Sequence, residues 1–128
     1  MLSGNCLQAQ CKSWEGHPEG IEQAQEQHII YRDLFNSKQY KKAFPVWKKL
    51  FQSVQSPKEA PSRHFKDGIK LYYTFAKAET NAETKATYID AIIDLYEQQE
   101  TCLGENASDK TWFGYHLYSL QAESSLVM

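Results

Sequence analysis

The chain has 128 residues, 23% of them charged, and a formal net charge of −2. One domain of that length can bury a real core, and the near-neutral balance argues against a general nucleic-acid binder, which carries a basic patch or stripe. No run of about 18 apolar residues occurs, so no transmembrane helix is expected.

Residues 1–18 lack periodicity and read as an irregular leader. Met1 to Gln10 has small and apolar residues without a basic start. It fits either the tail of a signal peptide or a disordered leader. Trp14 is its one strong anchor and is expected to pack onto the first helix. Pro18 or Glu19 opens that helix, with Glu19 and Glu22 near its positive end. Ile21, Ala24, His28, Tyr31 and Phe35 recur at steps of three and four, which puts them on one helical stripe running to about Phe35.

Asn36 and Ser37 form the turn and cap the second helix. Its stripe is Tyr40, Ala43, Trp47, Leu50 and Val54. Pro45 lies inside it and predicts a kink or a shifted start. The lysines 38, 41, 42, 48 and 49 read as a solvated face of this helix. Residues 53–61 form a loop, and Ser62 caps a third helix with the stripe Phe65, Gly68, Ile69, Tyr72, Phe75 and Ala76. Glycine in mid-helix costs about 1 kcal/mol against alanine, so Gly68 predicts a close crossing by a neighbouring helix. Thr80-x-x-Glu83 is a capping box for the fourth helix, with the stripe Ala86, Ile89, Ile92, Ile93 and Tyr96 and with Gly104 just past its end. Asn106 to Ser108 turns the chain, with Ser108 as cap; the triplet also matches a glycosylation acceptor. A fifth helix carries Trp112, Tyr115, Ser119 and Ala122 on one face and Phe113, Leu117 and Leu120 on another.

These elements predict an all-α domain over residues 19–126, built of antiparallel helical hairpins. Five helices leave the last without a hairpin partner. Apolar on more than one face, it predicts a sticky end and self-association through that helix. Three cysteines are too few for a disulfide framework. Cys102 reads as a small core residue, with a Cys11–Cys102 bridge as the alternative in an oxidising compartment. Neither a Cys-x-x-Cys nor a His-x-x-x-His pair is present, which argues against a tight zinc site.

The second helix resembles helix B of the tetratricopeptide repeat: Tyr40, Ala43, Trp47 and Leu50 supply its spacing, and Pro57 follows as in the family. Gly68 with Leu71, and Gly114 with Leu117, look like the glycine and large apolar pair of helix A. Tyr31 stands where the first such glycine belongs. The intervals Tyr31–Gly68 and Gly68–Gly114 are 37 and 46 residues, against about 34 in the common repeat, so the match is irregular. The runs 31–33, 43–48, 67–72 and 95–99 resemble exported tetratricopeptide-type proteins of Bacteroidetes bacteria over roughly residues 11–120. The resemblance implies a right-handed stacked array and a periplasmic or outer-membrane-associated scaffold with a signal peptide ending near Gln10. Without export, the chain would be cytoplasmic.

A stacked array presents a concave surface. The residues left after assigning the core are Gln27 and Arg32 on helix one, Lys66, Lys70 and Tyr73 on helix three, and His116 and Tyr118 on helix five. They are the expected protein-binding set. Arg and Lys here suit a carboxylate, such as a peptide C-terminus. No nucleophile elbow or glycine-rich phosphate loop occurs. His28 reads as a packed core histidine and His64 as lying near a helix start. Asp94, Glu97 and Glu100 have a spacing compatible with a metal but read as a solvated helix face. The expectation is a protein or peptide partner, with no catalytic, cofactor-binding or metal-binding residue assigned. The runner-up is a structural segment of a larger secretion or outer-membrane assembly.

Overall fold

The computed structural model describes residues 11–104 and 107–127. Among them lie five α-helices and no strand: α1 (Ile21–Asn36), α2 (Tyr40–Phe51), α3 (Arg63–Ala78), α4 (Ala82–Leu103) and α5 (Ala107–Val127). A short 3-10 turn, Trp14–Gly16, precedes them. The all-α expectation holds. Consecutive helices α1–α2 and α3–α4 form the two extensive packing pairs, α2 joins them by packing on α3, and α5 lies against α4. The core runs through both pairs, with Tyr31, Trp47, Leu50, Phe65, Leu71 and Ile92 buried.

Several boundaries differ from expectation. Gly20 has φ 98°, so the backbone turns there and α1 begins at Ile21 rather than at Pro18 or Glu19. The turn into α2 is made by Lys38 at φ 62°, and the cap position is Gln39, without a side-chain bond. The Ser37 hydroxyl donates instead to the Asp33 carbonyl at 2.8 Å. Helix α2 starts at Tyr40 and continues through Pro45. Ser62 does precede α3, but its hydroxyl makes no capping bond. At α4 the cap is Asn81, one residue beyond the expected Thr80: its side chain accepts the Thr84 amide at 2.9 Å. Gly104 ends α4 at φ 85°, as expected. Ser108 falls inside α5, which opens at Ala107. Asn106 and residues 1–10 lie outside the described residues.

Residues 11–19 form a strap across both helix pairs. Cys11 is disulfide-bonded to Cys102 near the end of α4, with Cα atoms 5.6 Å apart. Cys102 is thus a bridged cysteine rather than a free core residue. The Lys12 carbonyl accepts the Gln55 and Ser56 amides at 3.1 and 2.9 Å. Ser13 Oγ accepts the Lys58 amide at 2.8 Å, and Trp14 Nε1 donates to Glu59 at 2.6 Å. The strap is held to the α2–α3 loop by backbone and side-chain bonds that no helical periodicity encodes.

Candidate functional site

Helix α3 carries two different flanks because its residues are buried through most of its circumference. Toward α5 it supplies Lys66, Ile69 and Lys70. These line a cleft of about 270 Å³ together with Tyr96 and Gln99 of α4 and Trp112 of α5. Helix α5 is anchored beside the cleft by the Phe113 ring, stacked on Tyr96 at 4.1 Å and 9°. Trp112 stacks on His116 at 4.2 Å, and the Tyr73 ring meets His116 edge-on at 5.1 Å. His116 Nδ1 lies 2.8 Å from the Trp112 carbonyl. A carbonyl only accepts, so this nitrogen carries hydrogen. The Lys77 ammonium sits 5.6 Å from the Tyr73 ring, within cation–π range. The cleft therefore combines an apolar and aromatic wall with two ammonium groups one helical turn apart. That arrangement suits an anionic group attached to an apolar one.

Toward α1, α3 contributes a polar network. Asp67 is buried; its Oδ2 accepts from the Tyr31 hydroxyl at 2.6 Å and from Arg32 Nη1 at 2.8 Å. Arg63 stands 3.7 Å from Oδ1. Burial, then the Asp67 charge, pushes the Tyr31 phenol far above its ordinary value. Beside this network His64 Nε2 and His28 Nδ1 are 2.9 Å apart, and His64 Nδ1 is 2.7 Å from the Val54 carbonyl. The Trp14 indole meets both imidazoles near perpendicular, at 5.5 and 6.1 Å.

The expected binding residues divide between these flanks. Lys66 and Lys70 line the cleft, and Tyr73 and His116 continue its wall through Trp112. Arg32 is committed to the chain's own Asp67 rather than turned toward a ligand. Gln27 is half-buried, with Oε1 sealed and without a hydrogen-bond partner. Tyr118 is 70% exposed on α5 and is not among the lining residues. Sequence reasoning missed Ile69, Tyr96 and Trp112 as lining, because all three sit on stripes that also read as core, and it did not single out Gln99. It also missed the His28–His64 pair and the buried Asp67, whose partners lie about 36 residues away in sequence. On α4, Asp94 accepts from Gln98 at 2.7 Å. Among the described residues no group of three His, Cys, Asp or Glu side chains is arranged to hold a metal ion, and no helix is long and apolar enough to cross a membrane.

No protein-family model matches the chain, and no curated protein and no solved structure matches it.

Proposed function

We propose that this chain is a non-catalytic protein-interaction module of tetratricopeptide type, working in the bacterial envelope, which receives a carboxylate-bearing peptide segment in the cleft between α3, α4 and α5. One observation carries the reading: Lys66 and Lys70 flank Ile69 and Trp112 in a single cleft. An apolar side chain has a wall to pack on there, and a carboxylate beside it meets two ammonium groups. Two helix pairs with a further helix on the second support a repeat-type array. The Cys11–Cys102 bridge supports export, because such bonds persist in oxidising compartments.

The test is fluorescence anisotropy with a library of short peptides ending in an apolar residue, each with a free or an amidated C-terminus. Free-acid peptides should bind and amidated ones should bind about tenfold more weakly or worse. Lys66→Gln with Lys70→Gln should remove the difference while leaving the circular dichroism spectrum unchanged. Equal binding of acid and amide, or full binding by the double variant, would overturn the assignment.

A second reading, a structural segment of a larger secretion or outer-membrane assembly, is favoured by the outer face of α5. Tyr115 and Tyr118 there are 71% and 70% exposed. Large exposed aromatics on one helix mark a surface that another chain covers.

A further inference from the structure

The His28–His64 pair has its hydrogen placement dictated by its surroundings. The Val54 carbonyl can only accept, so His64 Nδ1 carries hydrogen and its one lone pair is on Nε2. The 2.9 Å approach then requires His28 Nδ1 to donate to that lone pair. His28 Nε2 makes no hydrogen bond among the described residues and is not sealed from solvent. A first proton therefore goes to His28 Nε2 and leaves the bond between the rings intact. A second proton has only His64 Nε2 to occupy, which sets N–H against N–H and two positive rings side by side.

Every element around the pair bears on that second step. From α1, Arg32 adds positive charge and the Tyr31 hydroxyl is already given to Asp67. From α3, Arg63 adds positive charge, while Asp67 is the one carboxylate of the network and is already bonded to Tyr31 and Arg32. From the α2–α3 loop, Glu59 is held below its ordinary value by its bond from Trp14. From the strap, Trp14 packs edge-on against both rings. His17, also on the strap, accepts the Glu19 amide through Nδ1 at 3.0 Å.

We infer that the His28–His64 pair is a proton-operated catch for the strap of residues 11–19: it holds the strap when it carries at most one added proton and releases it when it carries two. The strap stays attached on release, because Cys11 is bonded to Cys102 on one side and Gly20 leads into α1 on the other. Release bares Trp14 and the loop edge beneath it, so the device is reversible.

The direction of the effect follows from linkage. Burial, opposed by the Val54 carbonyl, lowers His64 from 6.5 to about 4 in the closed form. Burial and then Arg32 lower His28 as well. An opened pair takes protons near the ordinary value. Closure is therefore complete above about 6.5 and is lost as pH falls toward about 4.

Native-state hydrogen exchange on the intact, oxidised chain tests this. The Gln55 and Ser56 amides donate to the Lys12 carbonyl and report strap docking directly. Corrected for intrinsic rates, their protection should fall about tenfold or more between neutral pH and about 4, while the Leu95 amide in α4 stays protected. The midpoint should coincide with the titration of the His64 imidazole nitrogens followed by NMR in the same sample. In His28→Asn the amide nitrogen replaces the Nδ1 donor and cannot charge, so release should need one fewer proton and depend less steeply on pH. Unchanged protection at Gln55 and Ser56, loss shared with Leu95, a midpoint apart from that of His64, or an unchanged steepness in His28→Asn would each overturn the inference.

Discussion

The Trp47 indole of α2 lies across the backbone of Gly68 in α3: a β-carbon added at Gly68 would stand 2.7 Å from Cη2 and 2.9 Å from Cε2. The ring has little freedom to yield, since Nε1 donates to the His64 carbonyl at 2.9 Å and the ring stacks on Phe51 at 5.0 Å. Alanine would gain about 1 kcal/mol of helix propensity, but overpacking a fixed ring costs roughly 1–3 kcal/mol. Gly68→Ala should therefore be less stable than the parent by about 1 kcal/mol in urea denaturation. A variant as stable as the parent would show that α2 and α3 do not cross this closely.

This contact was legible before any coordinates, because a mid-helix glycine has few reasons to exist other than close approach. The period of three and four residues located all five helices for the same reason: burial of one stripe repeats along the chain. The ends were less legible. Asn81, rather than Thr80, caps α4 because cap choice depends on one dihedral, which the pattern Thr80-x-x-Glu83 does not specify. The buried polar residues were not legible at all. His64 and Asp67 look like ordinary surface positions near a helix start, and it is Tyr31, Arg32 and His28 of α1, together with the Val54 carbonyl, that make their burial tolerable. For the cleft, the lysines and Tyr73 were found by elimination. Trp112 was hidden because α5 is apolar on two faces and the sequence does not say which one packs.

The Asp67 network should rank its members by burial. Asp67→Ala leaves a guanidinium and a hydroxyl without their shared acceptor and should cost about 3 kcal/mol. Tyr31→Phe removes one bond to a charged group and should cost about 1.5–3 kcal/mol. Arg63 is exposed and 3.7 Å from Oδ1, so Arg63→Ala should cost under about 1 kcal/mol. Chemical denaturation of the three variants decides the order; an Arg63 variant weaker than Asp67→Ala would contradict it.

Alkaline titration offers a second view of the same network. Tyr31 is raised far above its ordinary 10.0, by burial and then by the Asp67 charge. The unfolded chain releases this proton near 10 and the folded chain does not, so the contribution is whole below about 10 and is lost as pH climbs beyond it. Ultraviolet titration should show Tyr31 ionising only together with unfolding. Tyr31→Phe should flatten the decline of stability above that pH. Ionisation of all eight tyrosines in the folded chain would rule this out.

Opening the Cys11–Cys102 bridge removes a closure spanning 91 residues. In the chain-entropy account, such a loop is worth roughly 4–5 kcal/mol. Reductant, or Cys11→Ser with Cys102→Ser, should lower the denaturation midpoint clearly. Alkylation before reduction should leave Cys11 and Cys102 unlabelled. Equal stability with and without reductant would show that the bridge contributes nothing.

The bare aromatic face of α5 should drive weak association between copies. Sedimentation velocity at rising concentration should show dimers, and Tyr115→Ser with Tyr118→Ser should abolish them without lowering the denaturation midpoint, since both rings are mostly exposed. A strictly monomeric parent at high concentration that also binds no hydrophobic dye would count against this face as an interface.

The sulfur bridge also decides how the molecule answers to tension. A pull applied between a point before Cys11 and a point after Cys102 passes through two side chains and bypasses residues 12–101, which hold both helical pairs except the last two residues of α4. Among the described helices only α5 lies outside that shortcut. Stretched between anchors in an oxidising space, the protein would let its last helix unwind and lengthen while the rest kept its shape. The same stretch under reducing conditions would draw out the whole thread.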